Sequence, residues 1–312
     1  MQNVNEKDRA LSTVRIFNAP IELVWKLWTT PEHLNNWWGP VGFNLTTHKH
    51  EFKTGGAWSF IMHGPNGENY QNEIVYGEIV HHKKIVLDHV SMPKFTITAT
   101  FTIINEKRTQ VEFSALFADI KTVDAVKDFA IQGNVQHQMK FEQELGKLTG
   151  LAVPNEFVIS REFKTNIDTM WLMFTDPKHM ARWYGPKEIT IGHCDMNFTR
   201  GGYYHFCMVG ENGSESWGKV HYVDIVKNTR LIYVNCFSNK AGEITRHPMA
   251  PLMPKELLTT INFIPLQNGN VKVETKWIPI NALPEEIQFF NEMHGSFNMG
   301  WSGSLDRLES II

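Results

Sequence analysis

Histidines, cysteines and a few recurrent charged residues are the groups in this chain that could do chemistry. There are fourteen histidines and three cysteines. His48 and His50 stand two apart, a spacing that on a strand sends both rings to one side and would suit a metal pair; His81-His82 is a second pair. No third ligand follows at a recognisable spacing, and the second half of the chain carries Cys194 and Asn197 in that region, so no metal is expected. His33 and His179 each follow a proline by two residues, where structural hydrogen bonding explains them better than acid–base work. Arg15 and Arg161 recur on a first strand and each needs a carboxylate, from Glu51 or a facing strand; a clamp on a ligand carboxylate is the other reading. Cys194 and Cys207 read as inert buried thiols with no cation to activate them. Glu285 and Glu286 follow Pro284 at a helix start and complement its dipole, while Glu68 and Glu73 read as solvated. Phosphate loops, a nucleophile elbow and His-Glu-x-x-His are all missing from the sequence, so no catalytic residue and no cofactor is assigned.

The stronger signal is aromatic. "PEHLNNWWGP" at 31–40 returns as "PKHMARWYGP" at 177–186. Over 15–40 against 161–186, ten of 26 positions are identical, including Arg15/Arg161, Trp25/Trp171, Trp37/Trp183 and Gly39/Gly185. The same offset pairs Gly55-Gly56 with Gly201-Gly202, Trp58 with Tyr204, Phe60 with Phe206 and Met62 with Met208. Such a period is too long for a solenoid and marks two duplicated domains, 1–150 and 151–312, joined near "TGLAVPN".

The elements that must position these residues follow from pattern. Each half opens with an alternating strand and then a helix, with Asn166 suited to cap the second copy. Thr30-Pro31 and Asp176-Pro177 start a second short helix, ended by Gly-Pro. "AWSFIMHG" puts Trp58, Phe60 and Met62 on one face of a strand, and its counterpart does the same with Tyr204, Phe206 and Met208. Further strands continue an antiparallel meander. A terminal helix carries Phe129, Gly133, His137, Phe141 and Leu145 at i+4 steps, answered by Phe289, Met293, Phe297, Trp301 and Leu305. A curved sheet wrapped on that helix buries both faces, giving an α+β fold.

Composition limits the partners. Net charge is −3 with no dense Lys/Arg cluster, so neither nucleic acid nor an anionic membrane is expected. The opening lacks an apolar signal core and no apolar run is long enough to span a bilayer. Three sparse cysteines suit reduced thiols, and a cytoplasmic location is expected.

The strings "RIFNAPIELVWKLWTTPEHLNNWWGP", "FKTGGAWSFIMHGPNGE" and "GWSGSLDRLE" resemble the activator-of-Hsp90-ATPase-homologue-1-like domain, a branch of the START/Bet v 1-like (SRPBCC) superfamily. The likeness covers nearly all of both halves. It implies two tandem helix-grip domains, each a curved antiparallel sheet around a long C-terminal helix with two short helices. It also implies an apolar cavity between long helix and sheet. Trp37, Trp38, Trp58, Phe60, Met62, His137 and Phe141 would line it in the first half, and Trp183, Tyr184, Tyr204, Phe206, Met208, Phe297 and Trp301 in the second. The repeated Trp-rich segment either caps the core or forms the cavity mouth; His137 is either a satisfied core residue or a group that orients a guest. Gly295, Gly300, Ser302 and Gly303 could leave room beneath Trp301. The function this implies is binding or sequestering a small hydrophobic or aromatic molecule. The alternatives are interaction with an Hsp90-type chaperone and a cyclase- or hydrolase-like conversion inside the cavity. The second copy departs from the pattern at Asn166, where Pro stands in the first, and in "MVGENGS", which lacks a Pro. The first copy has Phe141 where the second has Trp301.

Overall fold

The duplicated sequence produces duplicated architecture. The computed structural model describes residues 6–185 and 188–312, apart from the side chains of Lys7, Asp8, Asp128 and Phe129. Pro186, which closes the repeated motif, and the Phe129 side chain on the helical stripe therefore lie outside the described residues. Two compact units divide between Val153 and Pro154.

In the first unit, β1 (Ala10–Phe17) leads into α1 (Ile21–Thr29) and α2 (Pro31–Trp37). A meander then runs through β2 (Asn44–His50), β3 (Ala57–His63), β4 (Asn69–Val80), β5 (Lys84–His89), β6 (Phe95–Asn105) and β7 (Arg108–Phe117), followed by α3 (Ile120–Thr149). The second unit repeats this order: β8 (Phe157–Phe163), α4 (Ile167–Thr175), α5 (Pro177–Trp183), β9 (Ile189–Asn197), β10 (Tyr203–Gly210), β11 (Glu215–Val226), β12 (Arg230–Phe237), β13 (Glu256–Pro265) and β14 (Val271–Pro279). Each sheet has seven antiparallel strands, with the first strand returning to pair with the last: β1-β7-β6-β5-β4-β3-β2 and β8-β14-β13-β12-β11-β10-β9.

The long helix differs between the copies. Residues 120–149 form one helix, capped by Asp119 Oδ1 accepting from Thr122 N at 2.7 Å and closed by Gly150 at φ 67°. In the second unit the single expected helix is two, α6 (Pro284–Glu292) and α7 (His294–Glu309), separated by Met293. Met293 leaves helical geometry (φ −87°, ψ 1°) while its N–H is shared between the Phe289 and Phe290 carbonyls, a bifurcated ending typical of a helix terminus.

The short helices follow local chemistry. Asn166 Oδ1 accepts from Thr169 N at 2.8 Å, as a cap should, and Asp176 Oδ1 accepts from Lys178 N at 2.8 Å. Thr30 does not cap; its hydroxyl donates back to Lys26 O. The glycines after the paired aromatics, Gly39 and Gly185, adopt φ 97° and 102°, a conformation that excludes most other residues. A Cβ on Gly56 would lie 2.1 Å from Glu51 O, and one on Gly202 2.2 Å from Asn197 O, so the Gly-Gly pairs permit the tight bend the sequence suggested.

Candidate functional site

The repeated segment divides its labour between adjacent aromatics. Trp37 Nε1–H donates to Leu27 O at 2.9 Å and Trp183 Nε1–H to Met173 O at 2.8 Å. Each indole is buried and ties the second short helix to the first, so these two are pins of the core. The following residues, Trp38 and Tyr184, face the interior between helix and sheet, and what they meet there differs between units.

In the first unit the interior is full. Trp38 packs edge-on against Trp58 at 5.2 Å and stacks on His137 at 5.8 Å. Trp58 in turn lies 4.4 Å from Phe60, and Phe141 is wedged against Phe17 and Trp37. The residual void, lined by Trp37, His137 and Phe141, measures about 20 Å³. His137 is half-buried with its Nε2 buried and without a hydrogen-bond partner, and burial with Lys140 nearby pushes its pKa down to about 3. It is a neutral packing ring with an unmet acceptor or donor. Met62 sits beside Gly39.

In the second unit a cavity of about 430 Å³ opens between α7 and the sheet. Of the residues expected to line it, Tyr184, Phe206, Met208, Phe297 and Trp301 do so. Trp183 and Tyr204 do not: the first is a pin, and the second borders a separate void of about 20 Å³ with Tyr222 and Tyr233. The aromatic wall is continuous, with Trp277 5.5 Å from Phe297 and 5.7 Å from Trp301, and Tyr184 5.5 Å from Phe206.

Three substitutions along the helix explain the difference. With Phe141 opposite Trp301, Gln136, Lys140 and Glu144 correspond to Ser296, Gly300 and Ser304. In the first unit these side chains seal the helix to the short-helix loop. Gln136 Oε1 accepts from Val41 N at 3.1 Å. Lys140 Nζ donates to Gly39 O at 3.2 Å and Phe43 O at 3.1 Å, and Glu144 accepts from His33 and Asn36, both at 2.9 Å. In the second unit all three replacements line the cavity. Arg307, two turns further along, holds the loop instead, donating to Gly185 O at 3.2 Å, Ile189 O at 3.1 Å and Arg182 O at 3.0 Å. With the clamp moved to position 307, position 300 is free to be glycine; of the small residues singled out in the sequence, only Gly300 lines the cavity.

A second difference is an inserted loop. Residues 90–94 join β5 to β6, whereas 238–255 join β12 to β13, and His247 and Pro254 of this loop border the cavity. Arg246 anchors it by pairing with Glu286, whose carboxylate also accepts from Leu283 N at 2.8 Å. Glu286 is therefore a buried loop anchor in addition to a helix-start acid. The strand floor contributes Ser216, Gly218, Asn235, Leu257 and Trp277, none of which stands out by motif. Aligning the two helices at Phe141/Trp301 and comparing the two loop lengths would have pointed to this site.

The other chemical candidates resolve elsewhere. A bulge in β2 between Thr47 and Lys49 breaks the alternation expected for His48 and His50. His50 Nε2 bonds the Tyr76 hydroxyl at 2.8 Å, while His48 borders an open, polar groove on the outer sheet face with Ser59 and Glu73. Among the described residues no group of three His, Cys, Asp or Glu has metal-holding geometry. Arg161 finds its carboxylates on α7, Asp306 and Glu309, and Arg15 donates to Gln138 on α3. Neither uses Glu51, because β1 and β2 lie at opposite edges of the sheet; Glu51 pairs with Lys49 instead. Cys207 is buried but Cys194, on edge strand β9, is exposed. Burial raises the Tyr184 phenol to about 12, so it stays protonated near neutrality.

The sequence model described as "Activator of Hsp90 ATPase homolog 1-like protein" matches residues 18–151 and 164–312. No curated protein matches the chain. Similar solved structures include a protein of Arthrobacter aurescens, at 20% identity and TM-score 0.43 over 46% of this chain and 90% of that one. A Nitrosomonas europaea protein gives 17%, 0.44, 47% and 100% for the same quantities, and the AHSA1 protein of Silicibacter pomeroyi 16%, 0.40, 50% and 96%. No helix among the described residues is long and apolar enough to cross a membrane.

Proposed function

The chain belongs to the activator of Hsp90 ATPase homolog 1-like family, and from that premise we propose that its second domain binds a small hydrophobic, aromatic molecule. The observation that carries this reading is the cavity of about 430 Å³ walled by Tyr184, Phe206, Met208, Trp277, Phe297 and Trp301, a size and lining suited to a small ligand. Between its long helix and sheet the first domain keeps a void of about 20 Å³ among the described residues; its larger hollow, about 490 Å³, is the open, polar groove on the outer sheet face, unsuited to an apolar guest. Binding is favoured over conversion because the lining offers a protonated phenol, the Cys236 thiol that burial pushes up to about 12, and an imidazole, His247, whose pKa burial lowers, with no charged group among the described lining residues to activate any of them. The chaperone's ATPase figures in the family's description; failure of the full chain to alter the ATPase rate of an Hsp90-type chaperone would remove that reading.

The test is Gly300→Leu. A Cβ at Gly300 meets nothing within 4 Å, and replacing a helix-interior glycine gains up to about 1 kcal/mol. The variant should be as stable as the original or more so, yet bind a naphthalene-type probe at least about tenfold more weakly in calorimetric titration. Equal binding by both proteins would overturn the assignment of the cavity.

A further inference from the structure

The cavity is apolar in area but carries a particular set of hydrogen-bonding groups. His247 Nδ1 accepts from Met249 N at 3.1 Å and Ala250 N at 3.0 Å. An imidazole nitrogen that accepts carries no proton, so the proton sits on Nε2, which is a neutral donor. The ring lies edge-on against Phe237 at 4.6 Å. Asn235, two residues earlier on the same strand and so on the same sheet face, also lines the cavity. In the first domain the residue in that register is His89, facing Ile74 as Asn235 faces Val220. His89 is fully engaged, with Asn72 at 2.9 Å and Pro93 O at 2.8 Å. Asn235 has no such partners, because Gly218 replaces Asn72 and the inserted loop replaces Pro93. On the same strand floor, two strands away on β14, Trp277 Nε1–H is buried without a partner. No Lys, Arg, Asp or Glu is among the described lining residues.

We propose that this cavity selects an uncharged aromatic molecule bearing a hydrogen-bond acceptor, held by the His247 Nε2–H and the Asn235 amide beneath the inserted loop. The inference rests on the ligand-binding reading of the second domain and adds the class of ligand. In an apolar, partly enclosed site an acceptor on the guest gives the His247 and Asn235 donors a partner in place of water and can reach the Trp277 N–H, the one of the three that is buried and unmet. A carboxylate would lose its hydration without gaining a cation, so fatty or aromatic acids are excluded although they fit by size. The aromatic preference follows from a wall of rings that offers stacked and edge contacts.

The test uses the full chain and three probes of similar size: naphthalene, 2-acetylnaphthalene and 2-naphthoate. Isothermal titration at pH 7.5 should rank 2-acetylnaphthalene about tenfold or more above both others. The double variant Asn235→Leu/His247→Phe should bind 2-acetylnaphthalene no better than naphthalene. Naphthalene binding without an advantage for the ketone, or naphthoate binding tightest, overturns the proposal while leaving the ligand-binding reading intact. Failure of all three to bind overturns both. If the double variant does not fold, the ranking on the unaltered protein decides.

Discussion

Position 300 and its counterpart Lys140 illustrate how much one side chain controls. Lys140 reaches the Gly39 and Phe43 carbonyls and closes the first domain; Gly300 leaves the same ground open. At this scale the first domain also carries Glu142, whose carboxyl burial raises to about 7 despite the nearby Arg15. The folded pKa lies above the ordinary carboxylate value, so the folded state favours the protonated form. The first domain should accordingly lose stability as pH rises from about 4.5 to 7 and then level off. Glu142→Gln should remove that slope, stabilising the domain by on the order of 1–3 kcal/mol at pH 8 and hardly at all at pH 4.5. Urea midpoints at the two pH values read it, and an unchanged midpoint at pH 8 would refute it.

Among elements, the broken terminal helix and the inserted loop form a coupled unit, since Glu286 at the start of α6 holds both the Leu283 N–H and Arg246. Glu286→Ala removes the helix-start acceptor and the loop anchor together and should cost about 1–2 kcal/mol. Glu286→Gln, which keeps an acceptor, should cost less. Hydrogen exchange should then rise along 238–255 and 284–292 together; a rise in one segment alone would show that they are independent. A buried cluster elsewhere in the second sheet behaves differently. Asp224 is fully buried and shared by Arg200 and Arg230, where the first domain has the exposed pair Lys84–Glu78. Burial of that kind makes loss of one partner far costlier than loss of a surface pair.

For the whole molecule, duplication has given one filled and one hollow copy of a fold. A ligand should therefore stabilise one domain and not the other. At a hundredfold excess over its dissociation constant it adds about 2.7 kcal/mol to the domain that binds it. With 2-acetylnaphthalene present, amide exchange should slow across the second domain's core and stay unchanged in β1–β7 and α3. Equal slowing in both would place a site in the first domain as well.

What the amino-acid order determined by itself is the fold and its duplication. Ten shared positions, the positive-φ glycines Gly39 and Gly185 and the period-two strands are local or periodic requirements, and such requirements are written directly in a sequence. The break at Met293, the bulge beside His48 and the partners of Arg15 and Arg161 were less legible, because each depends on which neighbour the fold brings near. Whether Trp38 and Tyr184 meet a solid interior or an open one was decided only in three dimensions. A cavity is the volume left after side chains from a helix, a sheet and a loop have been summed. No single segment holds that sum: it took Gly300 opposite Trp277, Arg307 in place of Lys140, and a loop at 238–255 arching over the same space.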